Sequence, residues 1–281
     1  MKVVVLEQYN ERFEDRQLAF YIAHYRSGLT SITLLNYCIR SIKLFYPASE
    51  IVVCESPSTV EGTYDISGVR WILSPVPNSS CVGCFKEYLT RHDDKKGIFL
   101  HDSMILKGRF KEERLSKPFG FIWSFSCYYE PRHLEHPLLR EALHTILVRS
   151  DMDYDDYMGC FGFALFGSRE AIQALWNAIP FEEYMAFEER KQVMVDLERI
   201  VGATAFQKQL VTDTGDCSLC GDIFEFPNAF HNRFNGETYE EVMAYPYEGA
   251  VVKFWGNRFI NPLKQDDHNS DQPPVQDQTA V

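Results

Sequence analysis

The residues with the most chemical content stand where an apolar run ends. Ile98-Phe99-Leu100 reads as a buried strand, and it delivers His101, Asp102 and Ser103 at its carboxyl end. A carboxylate leaving a buried strand can hold a hard cation or accept from a hydroxyl group. Asp102 is therefore a candidate for catalysis and for a divalent metal.

Near the other end of the chain, Val251-Val252-Lys253-Phe254 reads as a strand that runs into Trp255-Gly256-Asn257-Arg258. Glycine between the two cations lets the backbone turn closely, so Lys253 and Arg258 can aim at one diphosphate. A helix expected from about Glu182 to Val201, stopped by Gly202, supplies carboxylates. Val193, Met194, Leu197, Ile200 and Val201 form its apolar arc, with Asp196 and Glu198 on opposite edges. Glu188 and Glu189 lie nearer its start, and any of these carboxylates could reach a site. Two Cys-x-x-Cys pairs, Cys81/Cys84 and Cys217/Cys220, are elements of zinc sites. Their separation far exceeds a zinc-ribbon spacing, so only the fold could join them.

The elements that position these groups follow from periodicity. Val3 to Leu6 is the first strand expected, an apolar run of the kind a parallel sheet buries on both faces. Leu29, Ile32, Leu35, Ile39, Ile42 and Phe45 recur at helical spacing, and Pro47 is a stop signal. Ile51 to Cys54 is a second strand, completing a right-handed βαβ unit. Val69 to Leu73 is a third, and Phe85 and Leu89 sit on a short helix before the fourth at Ile98. Phe119, Phe121, Trp123 and Phe125 alternate as in a strand. A helix over Leu138–Val148, a turn-strand over Gly159–Phe166 and a helix capped by Ser168 follow. The economical architecture is α/β: an open, mixed, mainly parallel sheet with helices on both faces. Ligands then bind beyond the carboxyl ends of the strands, which puts Gln8, Glu55 and Asp102 on one rim.

Composition narrows the partners. The chain has 281 residues and a formal net charge of −12, the wrong sign for gripping nucleic acid through phosphates. No stretch approaches the ~18 consecutive apolar residues of a transmembrane segment. The apolar N-terminus is too short for a signal-peptide core, so the eight cysteines read as reduced thiols. A soluble, cytoplasmic protein is expected. The tail 264–281 has nothing to bury and should be disordered.

A first part rich in β-α-β pattern, closing on Phe99-Leu100-His101-Asp102-Ser103, resembles the GT-A fold of nucleotide-sugar glycosyltransferases. Members of that family carry an Asp-x-Asp motif at this place, which binds the donor diphosphate through a divalent metal. Only Asp102 matches here, implying a weak Mn²⁺ or Mg²⁺ site that the reaction could do without. The resemblance implies one domain over 1–263, with a nucleotide-binding half (1–103) and an acceptor-binding half (104–263). It also implies that Gly159, Cys160, Phe161 and Gly162 line the acceptor site and that Asp196, Glu198 or Glu189 serves as base. Gln8, Glu55, His101, Ser103, Lys253, Trp255 and Arg258 would hold the donor, and His231 would be a second metal ligand. The activity implied is transfer of a sugar, from a UDP-sugar by preference, to a hydroxyl of a glycan or glycoprotein acceptor. Inversion and retention both stay open. The rivals are a non-catalytic α/β binding or assembly protein and a sugar nucleotidyltransferase. The latter brings a Gly-rich, basic loop after its first strand, where Glu7-Gln8-Tyr9-Asn10 offers none.

Overall fold

The computed structural model of the protein describes residues 13–25, 28–56, 67–76, 79–91, 94–126, 136–187, 190–223, 232–244 and 249–255. The strand expected at 3–6 and the tail from 264 lie outside them. The first described strand, β1 (Leu18–His24), is buried along its whole length. Its apolar run Leu18-Ala19-Phe20-Tyr21-Ile22-Ala23 is disguised in sequence by the charged neighbours Glu14, Asp15 and Arg16 and by the terminal His24. Helix α1 (Leu29–Phe45) follows and buries Ile32, Leu35, Ile39 and Ile42 of the expected stripe, while Leu29 at its start is exposed and Phe45 half-buried. Then come β2 (Glu50–Glu55), β3 (Arg70–Leu73), α2 (Ser80–Thr90) and β4 (Lys96–His101).

β1 pairs in parallel with β2 on one side and with β4 on the other, and β2 pairs in parallel with β3. The βαβ unit thus forms as expected, but from Leu18–His24. Successive side chains of a strand point to opposite faces, and β1 shows what covers each. Phe20 meets Tyr46 at the end of α1, with centroids 5.2 Å apart. Its neighbour Tyr21 meets Tyr88 of α2 at 5.4 Å. The two helices therefore cover opposite faces of the sheet.

The later elements are β5 (Met104–Leu106), α3 (Glu112–Leu115), β6 (Phe119–Phe121), β7 (Ser124–Ser126), α4 (Pro137–Ser150) and β8 (Met158–Cys160). A 3-10 turn at Phe161–Phe163 leads to β9 (Leu165–Gly167), α5 (Arg169–Ala178), α6 (Phe181–Tyr184) and α7 (Arg190–Gln207). The last are β10 (Asn232–Arg233), α8 (Tyr239–Ala244) and β11 (Val251–Trp255). The main sheet has six strands in the order β3-β2-β1-β4-β9-β6, with β9 antiparallel to both neighbours. It is a mixed, mainly parallel α/β sheet. Ser168 caps α5 by accepting from the backbone of Ala171, as expected.

Two expectations are corrected. The alternating aromatic segment is two strands, β6 and β7, broken at Ile122–Trp123. Phe119, Phe121, Trp123 and Phe125 are all buried and belong to the core. The single helix over Glu182–Val201 is two, and Gly202 lies inside α7 instead of ending it. A Cβ on Gly202 would stand 2.1 Å from the carbonyl oxygen of Met158, so this glycine lets α7 touch the backbone of β8. Among the described residues no helix is long and apolar enough to cross a membrane.

Candidate functional site

From β1 the chain moves through β2 to β3, then returns to lay β4 on the other side of β1. The strand order reverses between β1 and β4, and in open α/β sheets the crevice at that point, beyond the carboxyl ends, is where ligands bind. A cleft of about 320 Å³ opens there, with Tyr25, Ser31, Ser79, Cys81, Asp102 and Met194 in its wall. Ser31 belongs to the first turn of α1, and Ser79 is the N-cap of α2. Two helix N-termini thus face one space.

His101 and Ser103 line the cleft beside Asp102. The backbone N–H of Asp102 donates to Ala23 at 3.1 Å. Its side-chain Oδ2 accepts from Nδ1 of His24 at 2.6 Å. His24 ends β1 and is wholly buried. It was not among the residues that spacing picks out, because β1 itself was hidden; a histidine ending an apolar run next to the switch point is the signal that could have found it.

Behind the His101 side chain lies a second charged group. β11 runs antiparallel to β5 with Lys253 opposite Met104, and the N–H of Phe254 donates to Ser103. That register brings Lys253 beside the Asp102 segment. Gly162, in the left-handed region at φ 63°, separates His101 from Lys253. Its carbonyl accepts from Nε2 of His101, and its N–H donates to the carboxylate of Glu198 on α7. A Cβ there would lie 3.3 Å from His101 Nε2 and 3.4 Å from Lys253 Nζ. Burial pushes the Glu198 carboxyl up to about 7, with Lys253 and the Gly162 N–H opposing. Burial, then Lys253, brings His101 down to about 4. Burial also lowers Lys253, against the pull of Glu198. At neutral pH His101 is a neutral donor. Cys81, 3.6 Å from its Nε2, is a protonated thiol that burial pushes to about 12. The pair therefore lacks the thiolate that nucleophilic catalysis needs.

The other expected site residues fall as follows. Glu55 ends β2 opposite His24, on the rim but outside the cleft wall. Gly159 and Cys160 are buried in β8, where a Cβ on Gly159 would strike the Phe125 ring. Phe161 and Gly162 do reach the His101–Lys253 cluster. Asp196 is fully buried and accepts from the N–H of His136 at the start of α4. Lys253 and Glu198 adjoin the cleft without lining it. Trp255 ends β11, but its side chain is outside the description, as are Gln8, Glu189, His231 and Arg258.

The metal expectation can be tested on the donor set. One oxygen of Asp102 is bonded to His24 and Nε2 of His101 to Gly162. Among the described residues no three His, Cys, Asp or Glu side chains gather into a cage, and the two Cys-x-x-Cys pairs stay apart. The described residues alone make no cage, and His231, the second expected ligand, lies outside them.

A larger cavity, about 680 Å³, lies at the amino ends of β1 and β4. Its basic groups are engaged: Arg109 with Asp15, Lys95 with Glu50, and Lys96 with the carbonyls of Leu115 and Lys117. The smaller cleft has the chemistry.

No family model matches the sequence, and no curated protein does. Among solved structures the chain is similar to an active-site mutant of LgtC, at 12% identity over 85% of this chain and 88% of that one, with a TM-score of 0.40. It is likewise similar to the galactosyltransferase LgtC in complex with donor and acceptor sugar analogues, at 11% identity over 85% and 87% of the two chains and a TM-score of 0.40. Likeness at that level assigns no residue and no substrate to this chain.

Proposed function

We propose that the protein is a glycosyltransferase of the GT-A kind, moving a sugar from a nucleotide-diphosphate donor, a UDP-sugar by preference, to a hydroxyl of a glycan or glycoconjugate. The observation that carries the reading is the cleft at the β1/β4 switch point, with the Asp102 carboxylate fixed in its wall between two helix N-termini. The helix ends offer N–H groups and positive partial charge to a diphosphate. Asp102 is placed to accept from a sugar hydroxyl. Lys253, close behind, adds a fixed positive charge that is worth most as negative charge grows on the departing diphosphate. Should Mn²⁺ or Mg²⁺ bind, Asp102 would be its ligand, and no step here is routed through it. If the acceptor hydroxyl must lose its proton to a carboxylate, Glu198, held behind the cleft wall by the Gly162 N–H, would take it through a bridging water.

Isothermal titration with UDP and with GDP, each with and without Mn²⁺, tests this. Binding of UDP that persists without Mn²⁺ is expected. Absence of binding by either nucleotide would sink the enzymatic reading and leave the binding or assembly protein. Binding that strictly required the metal would overturn the metal-free account of the diphosphate site.

A further inference from the structure

We infer that His24 is a positioning residue for Asp102, holding its carboxylate in the one orientation from which it can meet the donor sugar; the inference rests on the sugar-nucleotide reading of the cleft. Asp102 is fastened to β1 twice, through its backbone N–H to Ala23 and through Oδ2 to His24. His24 is itself fastened, because its carbonyl accepts from the N–H of Ser56 at 3.0 Å. The clamp therefore spans the ends of β1, β2 and β4.

A wholly buried imidazole at the end of an apolar strand is a costly way to fill space, since its ring nitrogens must be hydrogen-bonded there. Apolar residues of similar shape at both positions would be nearly neutral for stability. Asp102 has just left the sheet, in a turn where its side chain could swing. Bonding one oxygen to a group that cannot move removes that freedom while the residue still lines the cleft.

The test compares wild type with His24→Ala, His24→Asn and His24→Gln in the full chain. UDP affinity is read by calorimetry, and turnover by hydrolysis of UDP-glucose. In that reaction water attacks the anomeric carbon, the bond to the diphosphate breaks, UDP departs with the electron pair, and the proton lost by the water passes to solvent. Asparagine can set its amide nitrogen near the place of Nδ1; glutamine sets it farther out. The alanine and glutamine variants should lose about 10- to 100-fold in turnover, the order of loss when a reacting group is misplaced by about an ångström. UDP affinity should hold, because the nucleotide and diphosphate are bound elsewhere in the cleft. Asparagine should restore most of the turnover. Turnover by His24→Ala equal to wild type, or no difference between asparagine and glutamine, would overturn the inference. Loss of UDP affinity in step with turnover would show a structural role instead. Should the alanine variant fail to fold, the asparagine and glutamine pair still decides. Wild type that binds no sugar nucleotide would overturn both this inference and the reading beneath it.

Discussion

Lys253 holds its ammonium group 4.7 Å from the centre of the Phe161 ring. A buried cation is expensive unless something offsets it, and here the face of the ring and the nearby Glu198 carboxylate share that task. The arrangement keeps a positive charge close to the cleft without exposing it to water, where it would be screened. Lys253→Met preserves the packing of the stem and removes the charge. UDP should bind this variant more weakly by on the order of 2 kcal/mol, the Coulomb energy across ~8 Å at an effective dielectric of ~20. Uridine, which has no phosphate, should bind both proteins alike. Equal losses for uridine and UDP would show that Lys253 supports the fold, not the diphosphate site.

Glu198 makes stability depend on pH in a predictable direction. Its folded carboxyl is raised to about 7, so the folded chain holds its proton longer than the unfolded chain does. Stability from this group is fully present below the unfolded value and is lost as pH rises toward 7. Glu198→Gln removes the loss. The variant should be more stable than wild type at pH 8 by on the order of 2 kcal/mol, and so melt higher, and match it near pH 4. Thermal unfolding at the two pH values checks this, and a variant less stable at pH 8 would refute the buried-carboxyl account.

Asp102→Ala should end turnover of a UDP-sugar and should also lower stability. The buried His24 then loses a hydrogen-bond partner, at a cost of about 1–3 kcal/mol. Asp102→Asn can still accept from His24, so stability should largely return while turnover does not. Urea unfolding and donor hydrolysis read the two separately. Near wild-type turnover in either variant would remove Asp102 from the donor site.

Gly202→Ala should be among the most damaging small changes in the chain. The new methyl would meet the backbone oxygen of Met158 and the Cα of Gly159, neither of which can rotate away. A destabilisation of about 1–3 kcal/mol or more is expected, the range for overpacking. Gly108→Ala, with nothing within 4 Å of the added carbon, should stay within about 0.5 kcal/mol of wild type. Equal melting temperatures for the two variants would mean that α7 does not approach β8 as described.

Much of the sheet was legible in the sequence. Ile51–Cys54 and Ile98–Leu100 could be read because strands buried on both faces need unbroken apolar runs, and the α1 stripe because a helix buries one side. The strand end at His101-Asp102 came with them, since a run that stops marks where a sheet meets solvent. β1 was lost to its charged flank, and with it His24, although its apolar run matches those of the strands that were found. Gly202 reads as a helix stop along the chain because sequence shows a glycine's missing side chain but not the backbone that fills the space. Only tertiary structure could decide that Asp196 meets the N–H of His136 while Glu198, two residues on, meets Gly162. Sequence fixes the angle between such neighbours on a helix, and the elements packed against each edge determine what each carboxylate becomes. The pairing of His24 with Asp102, and of Lys253 with Phe161, likewise joins residues far apart in the chain. Strand order and register alone bring them within a few ångströms, and neither is written in local periodicity.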